Sequence, residues 1–416
     1  MKLNKPKAAG FTLLLVGIIA NEKLLTLIFS PDGNLLTVTR IIIWSLDILL
    51  ILSGIFLLIT QSFLKLILMY ASLLASFLLV EKGLSRYFDL SGDFFIENPN
   101  GTGSYRLKPN LQIQRKIGAA SFDFHTNSLG MPWHEVQIEN PQNKTRIAFV
   151  GDSFVFGCCA SELTKSFVGT FGRKLSSKYE VLNFGVVGFG LADERLLIKE
   201  EVLKFHSKYI VLCFYNGNDF SDTFLSITPD GKLLGIHGRS PGDRKDIPTN
   251  FTQTQKRTRI ITNTATFRVL NQLLMTREDP RKIFGDPDRF DSWVFWSKRD
   301  YPPIANKAKD LSLSELNEIL NLCERNQIQL IVVTIPYVNQ VYATELTSGE
   351  FDFRLPQKYV EDLLKGHSAL YFDLLPSLRD YVHRTGHEIY LRGDGHFNDE
   401  GHELVGDLLL NYFHFQ

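Results

Sequence analysis

The chain has 416 residues, 44% of them hydrophobic, with 45 basic and 45 acidic side chains and no net formal charge. That length exceeds one small domain, and the apolar content supports a sizeable core. The charge balance speaks against a nucleic-acid binder, which would present a basic face. The four cysteines, Cys158, Cys159, Cys213 and Cys323, lack the spacing of a metal site. Cys213 and Cys323 sit in apolar strand and helix patterns and read as buried thiols. The vicinal pair Cys158-Cys159 lies near Ser153 in the sequence and carries no redox expectation.

Residues 1–82 read as a membrane region. Segments 41–60 and 63–80 are almost purely apolar, long enough to span a bilayer, and joined by the tight link Gln61-Ser62. Ala71/Ala75 and Ser72/Ser76 place small residues one turn apart, which suits close packing in lipid. Asp47 is costly inside the first of these segments and reads as a structural hydrogen-bonding site. Segment 11–30 is apolar but interrupted by Asn21-Glu22-Lys23. No small-residue cleavage site follows it, so it reads as a first span with a polar notch rather than a signal peptide. Lys2, Lys5 and Lys7 mark the amino terminus as cytoplasmic, and Lys65 near the second turn agrees. Three spans then leave the remainder of the chain outside the cytoplasm.

Residues 83–145 read as a polar connector and pre-domain segment with Pro99, Gly101, Gly103 and Pro109. From residue 146 to 416 the pattern alternates. Strands are expected at 146–151, 180–183, 209–215, 328–335 and 369–373. Helices are expected at 164–177, 190–205, 312–326, 356–366 and 399–412. Such alternation predicts an α/β domain with a mostly parallel five-stranded sheet and helices on both faces. About 80 residues, roughly 222–305, interrupt it. An insertion of this length reads equally as a substrate-binding lid or as a structural embellishment.

Four short blocks carry the chemistry. Gly151-Asp152-Ser153 ends the first expected strand of the alternating region, where ligands bind in an open α/β sheet. Asn183-Phe184-Gly185-Val186-Val187-Gly188 follows the second, and its glycines permit a tight turn that presents a backbone N–H. A dinucleotide loop is a poorer reading, because the glycines follow the second strand rather than opening the fold. Tyr215-Asn216-Gly217-Asn218-Asp219 ends the third, where an asparagine amide can face a developing oxyanion. Gly393-Asp394-Gly395-His396 precedes the last helix and offers a base with a carboxylate to orient it. A second pair, Asp399 and His402, competes with Asp394 and His396. Asp399 falls at the start of the last helix, where a carboxylate is a natural cap, so the loop pair is preferred.

These blocks, in this order, resemble the SGNH (GDSL-like) hydrolase superfamily over about 146–221 and 310–412. The resemblance implies a three-layer α/β/α flavodoxin-like domain. It also implies Ser153 as nucleophile, His396 as base and Asp394 as its partner. The backbone N–H groups of Ser153 and Gly188 and the side chain of Asn218 would form the oxyanion hole, with no metal and no cofactor. Two departures stand out. Asn216 replaces the glycine usual in the third block, and the last block reads Asp-x-His rather than Asp-x-x-His. The shorter form resembles the polysaccharide acetyltransferase-like branch. Asn127-Ser128-Leu129-Gly130 resembles a preamble of membrane-attached members, and its plainer reading is a turn.

The function expected from the sequence is a membrane-anchored serine esterase or O-acyltransferase acting on a cell-envelope or exported polysaccharide. Its partners would be an acylated glycan or small ester, the lipid bilayer and, for transfer, a separate membrane protein that delivers acyl groups. Nucleic acid is not expected. A non-catalytic glycan-binding module with the same fold is the alternative, and a flavodoxin-like nucleotide binder is a third.

Overall fold

The structure is a computed structural model that describes residues 4–19, 37–87, 94–98, 104–117, 120–228, 231–234, 266, 292–391 and 394–413. The chain divides into two compact units, Met1–Tyr87 and Phe88–Gln416.

The first unit holds α1 (Lys5–Ile19), α2 (Thr37–Thr60) and α3 (Phe63–Tyr87). Helices α1 and α2 touch backbone to backbone at glycines. A Cβ on Gly10 would stand 2.9 Å from the Gly54 carbonyl oxygen, and one on Gly54 would stand 2.7 Å from that of Gly10. Close approach at small residues is how helices pack when no water drives them together. The pairs Ala71/Ala75 and Ser72/Ser76 do not serve this role, since all four are exposed. The Ser53 and Tyr70 hydroxyls hydrogen-bond and tie α2 to α3. Ile43–Thr60 and Phe63–Leu84 are long and apolar enough to cross a membrane, with mean hydropathies of 2.3 and 2.2. Of the expected span 11–30, the part up to Ile19 is helical and residues 20–30 lie outside the described residues.

The second unit is built on five parallel strands. In chain order they are Thr145–Gly151, Tyr179–Gly185, Tyr209–Tyr215, Gln329–Ile335 and Leu370–Asp373, and across the sheet the fifth pairs the fourth, the fourth the third, the third the first and the first the second. Numbered along the chain, this is the 2-1-3-4-5 arrangement of flavodoxin-like sheets, whose order reverses beside the first strand. Six consecutive residues are buried in each of the first, third and fourth strands. A strand covered on both faces needs such an unbroken apolar run. Each fully buried Phe, Val or Leu contributes about 1.5–3 kcal/mol.

On one face Phe149 of the first strand meets Phe167 and Phe171 of the helix Phe167–Lys174, which packs against the last helix, Asp399–Phe413. Helices Leu191–Glu200, Asp219–Ser226 and Pro303–Arg325 pack together as the other layer. Each expected strand is present to within a few residues. Among the described residues, helices Ser153–Phe156, Asp219–Ser226, Val338–Tyr342 and Leu375–Thr385 are not signalled by the pattern, and Pro303–Arg325 begins before the expected start.

Two regions contribute more to the core than their composition suggests. From the segment read as a connector, Tyr105, Leu107, Met131 and Trp133 enter the main hydrophobic core. From the end of the presumed insertion, Val294, Phe295 and Trp296 do the same. Residues 235–265 and 267–291 of that insertion lie outside the described residues. Arg146, 2% exposed, stitches the connector to the first strand of the sheet. Its guanidinium donates to the carbonyls of Gln137, Ile138, Glu139 and Phe205 and to Glu180. Asn127–Gly130 forms a turn: the Asn127 side chain accepts from the Leu129 and Met131 N–H groups, and Gly130 has φ +77°.

Candidate active site

All four sequence blocks end at the carboxyl edge of the sheet. Gly151 closes the first strand of the sheet, and Asp152 caps the short helix Ser153–Phe156 by accepting the Phe154 N–H at 2.9 Å. This sharp strand-to-helix turn sets Ser153 at the switch point of the sheet, where the order reverses.

Ser153 Oγ lies 2.7 Å from His396 Nε2, and the other ring nitrogen, Nδ1, hydrogen-bonds Asp394 Oδ1. A proton on Nδ1, held by the carboxylate, leaves Nε2 free to accept from the serine. The loop that brings them is tight. Leu391 N–H donates to the His396 carbonyl at 2.8 Å, and Gly395 between the two residues has φ +85°. A side chain at that φ is strained, and a Cβ there would also meet the Trp293 ring at 2.3 Å. Phe154 lies against the imidazole, with ring centroids 4.9 Å apart.

Burial works to lower the pKa of His396. The negative potentials of Cys158 when ionised, of Asp394 and of Asp152 outweigh it and hold the ring above its ordinary value. Asp152 has no exposed surface, and burial raises its carboxyl to about 6. Behind it Glu194 and Asp219 are equally buried and are pushed well up, first by burial, and then Glu194 by Asp152, Asp193 and Asp222 and Asp219 by Glu194 and Asp152. Among the described residues neither Glu194 oxygen has a hydrogen-bond partner. A buried carboxyl in that position stays protonated.

The competing pair does something else. Asp399 accepts from the Ser161 N–H and hydroxyl, both at 2.7 Å. His402 is fully buried. Its Nδ1 accepts the Phe167 N–H at 3.2 Å and its Nε2 faces the Cys158 carbonyl at 3.1 Å. Burial lowers its pKa to about 4, so the ring is neutral and holds backbone.

Gly188 has φ +76°. The Tyr105 hydroxyl donates to the Val187 carbonyl at 2.8 Å, across the peptide that contains the Gly188 N–H. A trans peptide points its C=O and N–H in opposite directions. Tyr105 therefore fixes the Gly188 N–H to point away from itself. Sequence reasoning missed Tyr105, since nothing links residue 105 to residue 188 before the chain folds. Asn218 Nδ2 donates to Asp222 Oδ2 at 2.8 Å, which identifies its amide nitrogen and leaves one N–H for a ligand. Asn216, in place of the usual glycine, donates to Gln340 and Gln357 in a buried amide network. Its side chain is structural.

The structure also brings in the cysteine pair. Cys159 Sγ contacts Asp394 Oδ1 at 3.4 Å and Cys158 Sγ at 3.3 Å. One ligand-type atom from each of Cys158, Cys159 and His396 lies within 4.8 Å of the others. Both cysteines line an apolar cavity of about 270 Å³ with Phe122, Phe124, Phe156 and Val187.

No protein-family model matches the chain, and no curated protein matches it. Among solved structures it is similar to an acetyl xylan esterase, at 14% identity over 64% of this chain and 98% of that one, TM-score 0.36. A catalytic mutant of an acetylxylan esterase from Geobacillus stearothermophilus matches at 13% identity over 65% and 95% of the two chains, TM-score 0.36. A putative lipolytic protein of the G-D-S-L family from Desulfitobacterium hafniense matches at 15% identity over 64% and 99%, TM-score 0.35. Likeness at this level decides neither substrate nor activity. The sheet order, and the arrival of all four blocks at one edge of it, agree with the SGNH-type hydrolase that the sequence resembles.

Proposed function

We propose that this chain is a membrane-anchored serine esterase or O-acyltransferase that works through an acyl-enzyme. The observation that carries the reading is the continuous relay from Ser153 Oγ through His396 to Asp394. As an acyl carbonyl approaches, Ser153 Oγ attacks it and its proton passes to His396 Nε2. The carbonyl oxygen takes up negative charge. The Ser153 and Gly188 N–H groups and the Asn218 amide receive it, a contribution of about 2.7–4 kcal/mol per well-aimed donor. Asp394 stabilises the imidazolium without taking its proton. Collapse of the tetrahedral species expels the alcohol, protonated by His396. Water or a second hydroxyl then takes the acyl group from Ser153 by the same steps in reverse.

The membrane assignment is supported by Leu52, Ile59, Leu64, Ile67 and Leu79, large apolar side chains that α2 and α3 leave exposed. Lysines at 2, 5 and 7 support a cytoplasmic amino terminus and a domain outside the cytoplasm. Such a domain faces envelope glycans, and the Asp-x-His form of the last block favours a polysaccharide as ester or acceptor. Transfer would require a separate membrane protein to supply acyl groups. Labelling by a fluorophosphonate, abolished in Ser153→Ala, is the expected result. If the wild-type chain does not label under conditions where a known serine esterase does, the catalytic reading fails and the glycan-binding alternative takes its place. Mass spectrometry of envelope glycans from Ser153→Ala cells then separates the reactions. A gain of ester marks a hydrolase and a loss marks a transferase.

A further inference from the structure

We propose that Cys158, Cys159 and His396 form a binding site for one thiophilic cation of the zinc or cadmium kind, and that filling it shuts off Ser153. The second half rests on the esterase reading above; the first does not. The sequence gives vicinal cysteines no metal-type spacing, so the site exists only in the fold. There, one donor atom from each of the three residues lies within 4.8 Å of the others, and the two sulfurs are 3.3 Å apart. Tetrahedral coordination with metal–sulfur bonds of about 2.3 Å and metal–nitrogen bonds of about 2.0–2.1 Å separates donors by about 3.5–3.8 Å. The cluster reaches that geometry with shifts of about 1 Å or less. Two thiolates and an imidazole select zinc, cadmium or cuprous ions over magnesium or calcium.

The surroundings also suit an ion. Cys159 has φ +74°, a left-handed turn that places its sulfur beside that of its neighbour. His402 meets the Cys158 carbonyl from beneath and anchors this backbone. Asp394 Oδ1, 3.4 Å from Cys159 Sγ, stands ready as a fourth donor or as a support for the ring. The apolar cavity on the other side of the pair gives the sulfurs room to move.

On binding, each thiol loses its proton to solvent and both sulfurs bond the cation. The imidazole nitrogen that joins them gives up its lone pair. If that nitrogen is Nε2, the Ser153 proton has no acceptor; if Nδ1, the link to Asp394 is broken. Either way the relay is interrupted, and a chelator restores it.

The test uses the full-length Ser153→Ala chain in detergent, titrated with cadmium ion and followed by thiolate–metal ultraviolet absorption and equilibrium dialysis. One ion per chain is expected, with affinity at least about 100-fold lower in Cys158→Ser/Cys159→Ser. On the unmutated chain, zinc ion should protect Cys158 and Cys159 from iodoacetamide, read peptide by peptide in mass spectrometry; this needs no variant to fold. Absence of stoichiometric binding, or binding indifferent to both cysteines and without protection of them, overturns the site. Fluorophosphonate labelling of the wild type should slow about tenfold or more with cadmium and recover with chelator. Binding without any labelling in metal-free protein would sink the esterase reading and keep the site. Labelling that bound cadmium leaves unchanged would remove the inhibitory role.

Discussion

Tyr105→Phe tests the least expected part of the site. The substitution removes one hydroxyl and keeps the ring, whose edge contacts with Phe95 and Phe189 at 4.9 and 5.0 Å persist. Folding should cost only about 1 kcal/mol, the net worth of one hydrogen bond. The effect on chemistry should be larger. With no donor on the Val187 carbonyl, the 187–188 peptide is held only by the turn that the Phe189 N–H closes on the Val186 carbonyl at 3.2 Å, and the Gly188 N–H is aimed less firmly. Complete loss of one oxyanion donor costs about 10²–10³ in kcat. A misdirected donor loses part of that, so a fall of about 5–30-fold is expected. Ground-state binding does not use this N–H, so KM should stay close to wild type. Steady-state hydrolysis of a nitrophenyl ester measures both, beside thermal unfolding of the same preparations. An unchanged kcat, or a loss shared equally with KM, would refute the positioning role.

Other consequences can be measured with the same preparations. Asp394→Asn should lower kcat by about 10²–10⁴ with native-like thermal unfolding, since Asn holds the ring without stabilising the imidazolium. His402→Gln should lower the melting temperature through its two buried hydrogen bonds yet still label with fluorophosphonate, whereas His396→Gln should fold and not label. Labelling by His396→Gln but not His402→Gln would hand the base to the second pair. Glu194→Gln should flatten the dependence of stability on pH. Burial raises the folded pKa of Glu194 above its unfolded value. The native state therefore holds the extra proton, and stability, fullest below the unfolded pKa of about 4.3, falls as pH rises above it. Urea midpoints at pH 5 and pH 8 should differ less in the variant than in the wild type; an equal difference would show that Glu194 is not held protonated.

The hydrogen bond from Tyr105 to the Val187 carbonyl explains why residues near 105 belong with the proposed oxyanion loop. A donor is useful only if it is aimed before the reaction begins. Gly188 allows the required turn but cannot hold it, because a glycine has many conformations available. Tyr105, delivered by the two-stranded pairing of Phe95–Glu97 with Tyr105–Leu107, supplies the missing constraint.

Much was legible in the sequence alone. The apolar runs of the parallel strands, the helical periods between them and the four blocks with their order all follow from local patterns, because strand burial and turn chemistry are set by neighbours in the chain. Ser153, His396, Asp394, Gly188 and Asn218 are named as candidate site residues from those blocks and from the family they resemble. What local pattern cannot carry is contact between distant residues. Cap chemistry at Asp399 already favours His396 over His402, but only the tertiary structure sets His396 against Ser153. Only it brought Tyr105 to the Val187 carbonyl, turned Asn216 into a buried amide network, gathered Glu194 and Asp219 behind Asp152, and laid Cys158 and Cys159 beside the catalytic loop. Each of these is a meeting of segments far apart in sequence, decided by the order of the sheet and the packing on its faces.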